Sequence, residues 1–268
     1  MSRESTIRIA VLLPDVLGTY SDGGNATVLA QRLRWRGYAV EVHPVTAADV
    51  PPVECDLYLL GGGEDGAQAF AADWLRRYPA LCATLRERAP ALAVCAGFQT
   101  LGRWVQDSAG RRQEGADVLD LTTVPGTRRA VGEVVSRCAL PGVGSLTGFE
   151  NHRGVTTLGP GLAPLGNVVR GVGNGTAGHG DGVLTATVVG TYLHGPVLAR
   201  NPALADALLG RVTGGPLPPL DLPDQQSVRR QRLGPRSVHG AVRAVAGPGS
   251  GRTGVLRLRP RRPGARNG

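Results

Sequence analysis

The segment Val94-Cys95-Ala96-Gly97-Phe98-Gln99 holds the residue best placed for covalent chemistry. Ala91-Leu92-Ala93-Val94 predicts a short buried strand, which turns at Cys95 into a helix opening near Phe98. A turn of this kind lifts one side chain above the sheet on a strained backbone. It needs small neighbours, which Ala93, Ala96 and Gly97 supply. The positive helix end beneath the sulfur favours the thiolate, and a thiolate attacks carbonyl carbon. Such a nucleophile needs a proton-transfer partner. His194, in Thr191-Tyr192-Leu193-His194-Gly195-Pro196, follows the apolar run Val183 to Gly190 and so also leaves a strand end. His152, in Gly148-Phe149-Glu150-Asn151-His152, is its competitor; His43, His179 and His239 have no comparable setting. An oxyanion formed at the attacked carbon needs hydrogen-bond donors. The amides of Gly62, Gly63 and Ala96 are the candidates, because glycine lets the backbone approach a ligand closely. A phosphate loop is the other use of such glycines, but neither GxGxxG nor GxxxxGK[ST] occurs. The expectation is that the sulfur of Cys95 and the imidazole of His194 meet over one sheet edge, beside Gly61-Gly62-Gly63.

The elements that would place these residues alternate. Ile7 to Leu13, Tyr38 to Val45, Asp56 to Leu60 and Ala91 to Val94 predict strands. Ala26 to Arg36 predicts a helix, and a second runs from Ala67 through Trp74 and Tyr78, continuing across Pro79 to Leu85. This β-α-β order calls for an α/β fold with a mostly parallel sheet and helices on both faces, its sites gathered at the carboxyl ends of the strands. Further strands are expected at 117–121, 131–137 and 183–189, forming an antiparallel extension of the sheet and loops over the site. A last helix is expected from Asn201 to Val212. No internal repeat is evident.

Composition narrows the class. All 30 basic residues are arginine, and 11 of them lie from Arg229 onward, where there is no acid. Residues 1–228 therefore carry a net charge of −2, although the whole chain has +9. That division predicts a globular domain over 1–228 and a disordered Arg/Gly/Pro-rich tail over 229–268, with loose binding to anionic phosphates as the sharper reading of the tail. Cys55, Cys82 and Cys138 read as structural; with Cys95 they form no CxxC pair, so neither a zinc site nor a disulfide framework is expected. A reducing cytoplasm fits. No apolar run is long enough for a transmembrane span, and Met1-Ser2-Arg3-Glu4 leads too directly into a strand to resemble a secretory signal.

With these motifs in order, the chain resembles class I glutamine amidotransferases of the cobyric-acid-synthase-like branch, and within it the amidotransferase subunits of lipid II isoglutaminyl synthases. The resemblance rests on Tyr20-Ser21-Asp22-Gly23-Gly24-Asn25, Gly61-Gly62-Gly63-Glu64-Asp65, Cys95 to Gln99, Gly148 to His152 and Gly190 to Pro196, and it spans about residues 7 to 212. It implies a flavodoxin-like α/β fold. It also implies that Cys95 attacks the side-chain amide of glutamine with His194 as acid/base. Arg129, with Arg128 as the near alternative, would hold the substrate carboxylate, and Gln99, Glu150 and Asn151 would line the substrate site. No metal and no cofactor are expected on this chain. ATP is expected on a Mur-ligase-like partner, which would use the released ammonia to amidate the D-glutamate α-carboxylate of lipid II. The location implied is cytoplasmic, at the inner face of the membrane where lipid II is met, and no nucleic-acid partner is expected.

Two departures from the family pattern stand out. Pro196 occupies the position, two residues after the histidine, where many relatives carry the third acid. Glu150, Asp22, a partner carboxylate or nothing at all could fill that role. Ala93 precedes the nucleophile where glycine is common. Other readings are another ATP-dependent amidation of the cobyrinate type, a non-catalytic binding subunit of this fold, and a DJ-1-like hydrolase. The presence of both Cys95 and His194 weighs against a dead copy, and the two histidine-bearing segments weigh against the hydrolase.

Overall fold

The computed structural model describes residues 6–233. Along the chain run β1 (Ile7–Leu12), α1 (Gly24–Arg34), β2 (Val40–Val45), β3 (Leu57–Leu60), α2 (Asp65–Arg76), α3 (Pro79–Glu87), β4 (Ala91–Val94) and α4 (Ala96–Thr100). Then come β5 (Trp104–Gln106), β6 (Arg112–Glu114), β7 (Leu121–Cys138), β8 (Ser145–Leu158), β9 (Gly166–Arg170) and β10 (Gly180–Asp181). The chain continues through β11 (Val183–Leu184), β12 (Val188–Thr191), α5 (Val197–Arg200), α6 (Pro202–Thr213) and α7 (Pro223–Leu233).

The main sheet has the order β11-β12-β4-β3-β1-β2. Its strands pair in parallel except for β11, which is antiparallel to β12. Strands β3 and β4 are buried along their whole length, which is why they read as unbroken apolar runs rather than alternating ones. Helix α1 packs with α5 and α6, and α2 packs with α3 and α4. Trp74, Tyr58, Tyr192 and Phe98 are the largest side chains sealed in the resulting core. Arg32 of α1 and Arg36, two residues past its end, are buried against Asp206 of α6, at 2.5 and 3.0 Å.

Three expectations need correction. The helix drawn across Pro79 is two helices: proline cannot donate a backbone N–H inside a helix, and it starts α3 instead. Of the strands expected to extend the main sheet, 183–189 does so, as the antiparallel pair β11 and β12, whereas 117–120 forms no strand and 131–137 lies in β7 of a different sheet. Strands β7 and β8, 18 and 14 residues long, pair antiparallel with each other and, with β5, β6, β9 and β10, build a second sheet. The polar, glycine-interrupted pattern of β8 hid it, since both of its faces carry mixed chemistry. Lastly, the boundary expected at 228 falls inside α7. Arg229 anchors that helix by donating to the carbonyls of Arg200 and Ser145 and to Asn201 Oδ1, which draws part of the arginine-rich stretch into the fold. Residues 234–268 of the expected tail lie outside the described residues. No described helix is long and apolar enough to cross a membrane.

Candidate active site

Cys95 and His194 leave adjacent parallel strands. Val94, the last residue of β4, pairs with Thr191, the last of β12. Cys95 is therefore one residue past its strand and His194 three past its own, at the same edge of the sheet. Cys95 has φ 51° and ψ −111°, a conformation that costs a non-glycine residue free energy and aims its side chain off the sheet. Neighbours hold it there. Its N–H donates to Thr191 O at 2.8 Å, and the N–H of Gly97 donates to Gly61 O at 3.1 Å. Gly97 must be bare, because a Cβ would lie 2.7 Å from both Gly61 O and Leu60 Cβ.

The second sheet fixes the histidine. Phe149 of β8 exchanges both backbone hydrogen bonds with His194, at 2.8 and 3.2 Å. The imidazole is buried, and its Nδ1 faces Asp22, with Oδ2 at 3.0 Å and Oδ1 at 3.2 Å. Its Nε2 has no hydrogen-bond partner among the described residues. A Cβ built on Gly62 would stand 2.6 Å from His194 Cε1, 3.2 Å from Asp22 Oδ2 and 3.3 Å from Cys95 Cβ, so the three side chains converge on that glycine. Burial pulls the imidazole pKa down. The Asp22 hydrogen bond, the nearby Cys95 sulfur and the negative charge of both outweigh it and hold His194 up at about 9.

Asp22 is thus the third member of the constellation in space. It belongs to the turn Tyr20–Asn25, where Tyr20 and Ser21 adopt positive φ, 62° and 64°. Gly24 lets Pro196 close on that turn, since a Cβ there would lie 2.5 Å from the proline ring, and Asn25 Oδ1 accepts from Leu198 N at 3.0 Å. Pro196, standing where an acid is common, therefore docks the histidine segment beside an acid that comes from the other end of the chain. The Tyr20 ring meets His194 edge-on, 5.0 Å between centroids.

A cleft of about 630 Å³, counting its open mouth, runs from this point between the two sheets. Cys95, His194, Gly63, Gln99, Asn151 and Arg129 line it, as do His152, Arg153, Glu64 and Gln68. Arg129 sits where the β7–β8 register shifts between Pro125 and Ala130, a bulge that throws it over the mouth. Its Nε donates to Asn151 Oδ1 at 2.6 Å, and its guanidinium lies 3.7 Å from Glu64. Asn151 also donates to the Tyr20 hydroxyl. Arg128 is not among the lining residues.

Two of the expected roles do not match this placement. The N–H of Gly62 donates to Asp22 Oδ2 at 2.9 Å, so it is spent on orienting the acid rather than on a ligand. Gly63, whose amide makes no hydrogen bond among the described residues, and Ala96, the first residue of α4, remain as the candidate donors. Glu150 turns from the cleft and accepts from the amides of Val172 and Gly173 at 2.9 Å each, pinning that loop. His152 lies in the cleft wall but stacks on Tyr192 at 3.7 Å and is bonded through Nδ1 to Gly154 O, away from the Asp22 arrangement. Cys55, Cys82 and Cys138 carry no bridge, and burial pushes each thiol up. Among the described residues no group of three His, Cys, Asp or Glu could hold a metal ion.

The chain is 32% identical over 226 residues to the lipid II isoglutaminyl synthase (glutamine-hydrolyzing) subunit GatD of Staphylococcus aureus, covering 82% of this chain and 91% of the relative. It is 34% identical over 206 residues to the GatD subunit of Streptococcus pneumoniae, covering 76% and 79%. A probable cobyric acid synthase of Methanothermobacter thermautotrophicus is 33% identical over 123 residues, covering 41% of this chain and 24% of that protein. Residues 8–202 match the CobB/CobQ-like glutamine amidotransferase domain, and the chain belongs to that family.

Proposed function

We propose that this chain is the glutamine-hydrolysing subunit of a lipid II isoglutaminyl synthase. The observation that carries the reading is the convergence of Cys95, His194 and Asp22 on Gly62 at the end of a cleft rimmed by Arg129. The GatD relatives, matched over most of their length, supply the substrate side of it.

Glutamine enters with its α-carboxylate at Arg129, a planar fork suited to a carboxylate. The Cys95 thiolate attacks the side-chain carbonyl carbon, and the oxygen takes the negative charge between the amides of Gly63 and Ala96. As the oxyanion collapses, the C–N bond breaks, and His194 gives its proton to the leaving nitrogen, which departs as ammonia. Water then attacks the thioester and passes a proton to His194. Glutamate leaves and the thiolate is restored. Asp22 holds the imidazole with Nδ1–H towards itself and Nε2 towards the sulfur, and it stabilises the imidazolium. The chain itself carries no cofactor. A Mur-ligase-like partner binds ATP, activates the D-glutamate α-carboxylate of lipid II and captures the ammonia, giving D-isoglutamine.

Release of glutamate from glutamine, by the purified chain alone and with its ligase partner, tests this. The wild type should hydrolyse glutamine in at least one preparation, and Cys95→Ser in neither. The reading is lost if the two proteins behave alike. A lipid II acceptor should become amidated only when ATP and the partner are both present; amidation of a cobyrinate acceptor instead would favour the other branch of the family.

A further inference from the structure

One continuous buried polar chain runs behind the cleft wall from Gln68 and Gln99, through Tyr192 and Thr156, to Thr123, and Gln68, Gln99 and Thr123 line the cleft. The Gln99 side chain is held at both ends of its amide: Oε1 accepts from Gln68 Nε2, and Nε2 donates to the Tyr192 hydroxyl at 2.8 Å. The Tyr192 hydroxyl pairs with Thr156 Oγ1 at 2.6 Å, and Thr156 pairs with Thr123 Oγ1 at 2.8 Å. Tyr192 has no exposed surface and does not line the cleft, whereas Gln99 does. Burial pushes the phenol far above its usual range, so it stays neutral, accepting from Gln99 and sharing a second hydrogen bond with Thr156. Its ring is packed on two sides. His152 stacks on one side at 3.7 Å, and Phe98 meets it edge-on at 5.6 Å.

A second observation points to the same contact. Gly154 of β8 faces the junction, and a Cβ there would lie 2.2 Å from Gln99 Nε2 and 3.0 Å from the Tyr192 hydroxyl. The backbone has been brought against this amide with no room for a side chain. A carboxamide has two N–H hydrogens and two acceptor lone pairs; Gln68 and Tyr192 each use one. One donor and one acceptor are left at a fixed position in the cleft wall, on the same wall as Cys95. That pair suits a substrate carrying both an ammonium and a carboxylate.

We infer that Tyr192 is a positioning residue for substrate binding, acting through Gln99 to grip the amino-acid end of glutamine without touching it. The inference rests on the proposed glutaminase reading of the cleft. With Tyr192→Phe the ring remains and one hydroxyl is lost. Gln99 then keeps only its bond from Gln68, so its Nε2 end is no longer fixed, and the Thr156 hydroxyl loses a partner.

The test is a double-mutant cycle of Tyr192→Phe and Gln99→Ala. It reads KM and kcat for glutamine, together with the rate at which iodoacetamide, a probe without an amino-acid end, alkylates Cys95. Tyr192→Phe should raise KM about tenfold, the effect of one lost hydrogen bond in a buried site. Its kcat should change less than about twofold and its alkylation rate should stay at the wild-type value. The double variant should be no worse than Gln99→Ala alone. Thr156→Val, which leaves the Gln99–Tyr192 bond in place, should have a smaller effect on KM than Tyr192→Phe. The inference fails if KM is unchanged, if kcat falls instead, if alkylation slows in parallel, or if the two substitutions add. A wild-type chain that, with its ligase partner, neither hydrolyses glutamine nor, as Cys95→Ala, binds it in calorimetry would remove the glutaminase reading itself, and this inference with it. A wild type that does both, in a protein whose Tyr192→Phe variant is indifferent, removes the inference alone.

Discussion

Asp22 Oδ2 lies 3.0 Å from His194 Nδ1, although 172 residues separate them, and the same oxygen accepts the amide of Gly62 at 2.9 Å. One carboxylate therefore orients the imidazole and the glycine loop together. Asp22→Asn keeps the shape but removes the charge and allows the wrong imidazole tautomer. Glutaminase kcat should fall by on the order of 10² to 10⁴, with KM little changed, measured by glutamate release. A fall of less than a few-fold would mean that a partner carboxylate takes this place in the complex.

The alkaline limb of activity should report His194. An imidazole held at about 9 is still protonated at neutral pH and can supply the proton that ammonia needs on leaving. The pH profile of kcat should therefore be flat through neutrality and decline as pH rises through about 9. In Asp22→Asn that limb should move to lower pH. The sign for stability follows. The folded value lies above the ordinary 6.5, so this group's contribution is complete below 6.5 and is lost as pH climbs through about 9. The difference in Tm between wild type and His194→Ala should shrink over that window.

Gly62→Ala and Gly97→Ala separate function from folding. The methyl at 62 meets the edge of a side chain, His194 Cε1 at 2.6 Å, and the ring can swing aside. Activity should drop while Tm stays near the wild-type value. The methyl at 97 meets the backbone oxygen of Gly61 and Leu60 Cβ at 2.7 Å, neither of which can move freely. That variant should lose about 1–3 kcal/mol of stability in denaturant unfolding.

Arg129 and Arg128 are both exposed, yet Arg129 alone lines the cleft. Arg129→Ala should raise KM for glutamine by about tenfold or more, the cost of a charge-assisted bidentate contact. Arg128→Ala should leave steady-state kinetics unchanged. Equal effects would mean that the bulge presents either arginine.

Removing Asp206 should be costly. Arg32 and Arg36 are almost fully buried on it, so Asp206→Asn would leave two guanidinium groups without a counter-charge. A loss of about 3–5 kcal/mol is expected, readable as a lower denaturant midpoint.

What could be read from the chain alone follows from how locally each feature is written. The Cys95 turn, the His194 segment and the first four parallel strands are each encoded within a few residues, as an apolar run and the small or breaking residues that end it. The second sheet was not legible, because β8 carries Glu150, Asn151, His152 and Arg153 in succession and its pairing with β7 is interrupted by a bulge. The sequence leaves the acid open among Glu150, Asp22, a partner carboxylate and none, since only the return of the chain could bring one of its own acids to His194. Locally, the glycine run reads as a set of oxyanion donors. That one of its amides is engaged by a carboxylate from a distant turn depends on tertiary packing that no local pattern carries. The same is true of the Tyr192–Thr156 link.

The order of the main sheet has a consequence for the chain as it is being made. Strand β12 is the penultimate strand in space and the last in sequence, slotted beside β4 long after β1, β3 and β4 have left the ribosome. Until it docks, the thiol has no imidazole, the turn at 20–25 has nothing to close on, and Phe149 has no backbone to pair with. Nascent or half-assembled copies therefore lack the arrangement of Cys95, His194 and Asp22 until folding is complete.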